Sequence, residues 1–217
     1  MSVYGVAAYS TLGALPGDRF ADPLLNTFIS TPEGELARLI FHELAHQVAY
    51  ARGDTTFNES FATAVEQLGG ERWLALHSSP QARAEQASRE ERRSDFRALT
   101  SRYRAELESL YQSDRPATEK RSAKAALYAA MRAEHAQLRQ ARWSGFTGYD
   151  TWFARANNAS MGVLAAYHEE VPAFLQLFER QERDFERFYA EVRRLAQLAD
   201  RSERRAALIE ASQGRRP

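Results

Sequence analysis

The sequence contains no cysteine, which excludes both disulfide bonds and thiolate metal ligands. It has no run of about 18 apolar residues, and its N-terminus lacks a basic segment followed by an apolar one. We therefore expect neither a membrane span nor a signal peptide in this chain. The formal net charge is zero, so no global field attracts nucleic acid, and we expect no nucleic-acid partner.

Lysine is also scarce, because Lys120 and Lys124 are the only lysines among 29 basic residues. Acidic residues are interleaved with the many arginines. The preference for arginine over lysine therefore reflects the overall composition and does not indicate a basic binding patch. With 44% apolar and 27% charged residues, the chain has the composition of an ordinary globular protein. Its 217 residues are enough for one well-filled core.

A short motif, His42-Glu43-Leu44-Ala45-His46, carries the chemistry. On a helix, His42 and His46 lie one turn apart on the same face, so both imidazoles can bind a single ion. Glu43 lies just off that line, where it can accept a proton from a water at the ion without being a ligand. The motif predicts a zinc hydrolase with Glu43 as the general base.

The surrounding segment favours a helix. Thr31-Pro32 predicts an N-cap and a first-turn proline, and Gly53 predicts a stop. Apolar residues recur at helical spacing, which predicts that the helix is buried on one face while the histidines face a cleft. These residues are Leu36, Leu39, Ile40, Leu44 and Val48.

A catalytic zinc needs three protein ligands, and Glu59 is the candidate for the third. Twelve residues separate Glu59 from His46, enough to end one helix, turn and begin an antiparallel second helix. Metal-bound histidines usually donate their other ring nitrogen to a carboxylate or a carbonyl. Glu66 is a candidate for that partner, with Asp54 and Asn58 as alternatives.

Several motifs together resemble the bacterial putative zinc aminopeptidase family, and the HELAH and NExxA pair is also similar to glutamate-liganded zincins in general. The resemblance implies one Zn²⁺ bound by His42, His46 and Glu59, with Glu43 as base, in an enzyme that releases N-terminal residues from peptides. The residues that carry it are Ala8 to Gly13, Asp22 to Leu25, Ile40 to Gln47, Thr56 to Thr63, Gly148 to Phe153, Asn157 to Ala159 and Tyr167 to Phe174.

The resemblance also bears on localisation. Members of that family usually carry a signal or lipoprotein segment, so it suggests the cell envelope or periplasm. The chain as given shows no such segment, and if complete it would be cytoplasmic.

We predict a mainly α, zincin-like fold with a short N-terminal strand. Val3 to Tyr9 reads as a strand, and Gly5 to Thr11 could pair with a peptide substrate as an edge strand or pair elsewhere. Pro23 to Ser30 reads as a short helix. A long antiparallel helical hairpin is expected at about 80–143, followed by a helical part at 144–217. With the metal site in 31–70, we expect a single domain over 1–217.

The C-terminal half should supply the residue that stabilises the oxyanion. Tyr167 is the first candidate, Tyr149 the second and His168 the third, although each could equally be a packed side chain. Ser144 to Ala156, rich in rings and glycine, reads as a loop, and Asn157-Asn158 should cap the next helix. His77 and His135 are expected to be surface or core residues rather than ligands.

Two other functions fit the sequence. A helical scaffold that keeps an inactive or structural zinc site is one, and a zinc endopeptidase is the other. An aminopeptidase needs an acid to bind the substrate's α-amine, and no residue is identified for that role. Zinc-dependent peptide hydrolysis therefore follows from the motif, whereas the N-terminal specificity comes from the resemblance.

Overall fold

The structure is a computed structural model that describes residues 31–214, apart from the side chain of Ala166. Every regular element in that range is an α-helix, which confirms the mainly α prediction. The predicted strand at Gly5 to Thr11 and the predicted helix at Pro23 to Ser30 lie outside the described residues. None of the described helices is long and apolar enough to cross a membrane.

In chain order the helices are α1 (Glu33–Val48), α2 (Thr55–His77), α3 (Pro80–Gln112), α4 (Ala117–Ala141), α5 (Asp150–Arg155), α6 (Asn158–His168), α7 (Val171–Arg180), α8 (Phe185–Ala196) and α9 (Arg201–Gln213). The chain divides into two compact units. Among the described residues, one unit comprises 31–83 together with 166–214, and the other comprises 84–165. The single-domain organisation stays a prediction.

The first unit is built on the contact between α1 and α2, the most extensive helix pair in the described chain. Helices α7, α8 and α9 add a phenylalanine-rich core. Each ring buried in such a core contributes about 1.5–3 kcal/mol relative to an exposed one. The fully buried rings are Phe57, Phe61, Phe174 and Phe188.

Two consecutive glycines in α2 let α1 approach closely. A Cβ at Gly69 would lie 2.9 Å from the Phe41 ring, and one at Gly70 would lie 2.6 Å from Cγ of Arg38. Glycine inside a helix is about 1 kcal/mol less favourable than alanine. Both glycines therefore lower the intrinsic stability of α2, and in return they allow its close contact with α1.

The prediction for the buried face of α1 was partly wrong. Ile40 is 37% exposed and Leu44 is 48% exposed, whereas Ala37 and Ala45 are buried. The reason is that Arg38 and His46, both buried, occupy the side of α1 that meets α2, where they contact Glu66 and Glu59. The helix also begins one residue later than predicted, since Pro32 is its N-cap, and it ends at Val48, with Gly53 in the following turn at φ +79°.

The second unit contains the predicted antiparallel hairpin of α3 and α4. Trp143 Nε1 donates to Asp95 Oδ2 at 3.0 Å, while Arg102 pairs with Glu134 nearer the other end. Contacts that join early residues of one helix to late residues of the other establish the antiparallel direction.

The segment from Ser144 to Ala156 is not all loop, because it contains α5. Phe153 in this helix is 1% exposed and its ring centroid lies 5.5 Å from that of Phe96. Burial of this ring favours a helical turn over an open loop. The predicted cap that follows is confirmed, since Asn157 Oδ1 accepts hydrogen bonds from the backbone of Ala159 and Ser160.

Candidate metal centre

Helix α1 places the two motif histidines side by side. The ring centroids of His42 and His46 are 5.1 Å apart, as expected for residues separated by one turn on the same face. Nε2 of His42 lies 3.3 Å from Glu59 Oε2, and Nε2 of His46 lies 3.9 Å from the same oxygen. One potential ligand atom from each of these three residues lies within 4.8 Å of the others.

Glu59 reaches this position because side-chain hydrogen bonds fix the turn that precedes it. Asp54 is the N-cap of α2 and accepts a hydrogen bond from the backbone of Phe57 at 3.2 Å. The side-chain amide of Asn58 accepts from Ala51 N at 2.8 Å and donates to Ala51 O at 2.9 Å. These bonds anchor the first turn of α2, where Glu59 projects toward α1.

Glu66 lies behind His42, on the side away from Glu59. Its Oε2 is 3.3 Å from Nδ1 of His42, while its Oε1 accepts a hydrogen bond from Arg38 Nε at 3.0 Å. Of the three candidates for an outer partner of the histidines, Glu66 is the one that contacts His42. Asp54 and Asn58 instead bond to Arg204 and Ala51.

The carboxylates on both sides of His42 control its charge. Burial opposes protonation, but hydrogen bonds with Glu59 and Glu66 outweigh it and raise the pKa of His42 to about 9. For His46, burial dominates and lowers the pKa. Burial of Glu66 favours its neutral form, yet His42 and Arg38 together hold its pKa below the usual value. Without metal, a proton on His42 balances the nearby negative charge.

The donor set fits a zinc ion. Two imidazole nitrogens and one carboxylate oxygen form a known type of catalytic zinc site that leaves a fourth position open. Donors bonded to one tetrahedral zinc lie about 3.3 Å apart, and the distance from His42 Nε2 to Glu59 Oε2 is 3.3 Å. With Glu66 at Nδ1, the Nε2 lone pair of His42 can face the ion.

The other candidate residues occupy different surroundings. Glu43 is half-buried, one position from His42 on α1. Tyr167 is 38% exposed and its ring is stacked on that of His42, with centroids 6.4 Å apart. His168 is half-buried at the end of α6. Tyr149 belongs to the unit at 84–165, where its ring stacks on Phe96 at 4.5 Å.

Arg38 was not among the predicted site residues. A lone arginine on a helix ordinarily indicates a solvated face, but this one is 5% exposed. The available signals were its position one turn before His42 and the glycine pair in α2, which indicates a close approach. The ring centroid of His77 lies 5.7 Å from that of Trp73, and His135 is stacked on Phe153 at 4.0 Å.

Comparison with known proteins gives one match. A family model described as Putative aminopeptidase matches residues 1–208. No curated protein matches the chain, and no solved structure matches it.

Proposed function

Because the chain belongs to the family described as Putative aminopeptidase, we propose that it is a zinc metallopeptidase that removes N-terminal residues from short peptides. The observation that carries the proposal is the convergence of His42, His46 and Glu59 within 4.8 Å. The family supports the peptide substrate, and the donor set supports zinc.

Glu43 acts as the general base. It takes a proton from the attacking water and passes it to the leaving amine, so one carboxylate serves both steps. A zinc ion bound by the three ligands would lower the pKa of a bound water to about 7 and polarise the scissile carbonyl. Glu66 keeps His42 oriented by accepting the proton of Nδ1.

Tyr167 is proposed to stabilise the oxyanion through its hydroxyl group. The stacking of its ring on His42 supports this role, because it brings the tyrosine to the same side of the unit as the ligand set. Tyr167→Phe retains the ring and removes only the hydroxyl. We expect this variant to lower kcat by about 10²–10³ while zinc content is unchanged.

The decisive experiment combines metal analysis with Glu43→Gln. The wild-type chain should bind one zinc and hydrolyse peptides in a chelator-sensitive way. Glu43→Gln should retain the zinc and lose at least about 10²-fold in kcat, because the base is removed while the ligands remain. Glu59→Gln is the matched comparison, since it replaces a ligand and should lose the zinc as well. Full activity of Glu43→Gln would refute the proposal.

The choice of peptide is tested separately. Aminoacyl substrates and free peptides should be cleaved, whereas the same peptides with blocked amino termini should not be. Cleavage of blocked, internally quenched peptides would instead identify an endopeptidase. Zinc binding without chelator-sensitive cleavage of any substrate would indicate a scaffold with a structural ion.

A further inference from the structure

Arg38 lies beyond the ligands of the candidate metal centre and makes an unusual contact there. Its Nε and Nη2 both approach Oε1 of Glu66, at 3.0 Å and 2.9 Å. The other carboxylate oxygen, Oε2, faces Nδ1 of His42 at 3.3 Å. The two oxygens of Glu66 therefore have different partners, and the guanidinium holds the carboxylate with its second oxygen directed toward the histidine.

The path of the Arg38 side chain is set by Gly70. A Cβ at this position would lie 2.6 Å from Cγ and 3.3 Å from Cδ of Arg38, closer than the stem could remain. Gly70 is buried within α2, four residues after Glu66, so it lies on the same face of that helix. Because Gly70 has no side chain, a channel remains beside it, and the stem of Arg38 runs through this channel to the carboxylate of Glu66.

We infer that Arg38, held in the channel at Gly70, is a positioning residue that orients Glu66 and through it the metal-binding nitrogen of His42. This inference rests on the proposed function, because it assigns a role toward the same ion. Arg38 contacts Glu66, so it acts on His42 through that carboxylate. Its effect should therefore appear in zinc affinity before any effect on chemistry.

The test measures the zinc dissociation constant by competition with a chromophoric chelator. Arg38→Ala should weaken zinc binding by about 10–100-fold, the usual effect of losing a partner behind a metal ligand. Arg38→Lys should recover part of the affinity, since it restores one charged donor on a similar stem. Gly70→Ala alters no polar group, yet it should weaken zinc binding because it displaces the Arg38 stem.

A double-mutant cycle separates this mechanism from a general loss of stability. With Arg38 already replaced by alanine, Gly70→Ala should change the zinc dissociation constant no further, because the clashing atoms are gone. Gly162→Ala is the matched control, since a Cβ there meets nothing within 4 Å, and it should leave zinc affinity unchanged. Urea unfolding of the metal-free variants measures their folding independently of zinc. If Arg38→Ala fails to fold, the zinc affinity of Gly70→Ala tests the inference instead.

Several results would overturn the inference. Zinc affinity of Arg38→Ala within about two-fold of wild type would show that the guanidinium does not position the ligand, as would additive effects of the two substitutions. In both cases wild-type zinc binding and the loss of activity in Glu43→Gln would leave the proposed function intact. Failure of the wild-type chain to bind zinc would overturn the proposed function, and this inference with it.

Discussion

Replacing Asp54 should destabilise the protein far more than replacing an ordinary helix cap. Asp54 is 5% exposed and performs two tasks at once. Oδ1 caps α2 through the backbone of Phe57, and Oδ2 pairs with Nη1 of Arg204 at 2.5 Å. Arg204 is 2% exposed, so its charge depends on this partner for compensation.

Asp54→Ala removes both interactions. Loss of the cap should cost about 1 kcal/mol. Leaving the buried arginine without its carboxylate should cost a further 3–5 kcal/mol or so. The free energy of unfolding, measured by urea denaturation of the metal-free protein with circular dichroism, should therefore fall by about 4–6 kcal/mol in total.

Asp200→Ala is the matched control. Asp200 also caps a helix, accepting from the backbone of Ser202 and Glu203 at 2.9 Å each, but it is exposed. That substitution should lower the free energy of unfolding much less, because only an exposed cap is lost. In Asp54→Ala with Arg204→Met, most of the charge-related loss should be recovered. Equal losses for Asp54→Ala and Asp200→Ala would refute the reasoning.

Two further predictions concern pH. Because the pKa of His42 is raised to about 9, zinc binding at pH 7 should displace a proton, and the apparent affinity should rise about ten-fold per pH unit up to about pH 9. Calorimetry in buffers of different ionisation enthalpy measures the proton release, and a pH-independent affinity would contradict this. Burial, reinforced by Asp54, raises the pKa of Glu170, so this residue keeps its proton when folded at pH values where the unfolded chain has lost it. Its stability contribution therefore falls as pH rises above the unfolded value, 4.5. Glu170→Gln should raise the free energy of unfolding at pH 7 but not at pH 4, and the exposed Glu210→Gln should change neither.

The ligand set was predictable because it is local. His42 and His46 share one helix face by spacing alone, and Glu59 follows after a connection too short to reach far. The structure brings these three residues together as a group that could hold an ion. The long helices and the hairpin were likewise predictable, since their apolar stripes repeat over many turns.

Glu66 was among the predicted partners of the histidines, but the role of Arg38 and the buried face of α1 could not be read from local patterns. The buried face of α1 is set by α2, whose glycine pair makes room for Phe41 and Arg38, while Leu44 is left exposed. Arg38 meets Glu66 and Gly70 from the other helix, and both contacts contribute to its burial. Such pairings depend on residues 28 and 32 positions away, and spacing within one helix carries no information about them.

The position of the three candidate ligands along the chain has a consequence for the protein in the absence of the proposed ion. All three lie in one continuous segment, 42–59, within two helices that already pack closely. An ion there closes a short loop, and closing a short loop restricts the unfolded chain little. The phenylalanine core around Phe174 and Phe188 also includes Phe57 and Phe61 of α2, so apolar packing holds this helix in place without the ion. The fold should therefore survive removal of the metal. The metal would serve the reaction and would not be required to hold the helices together.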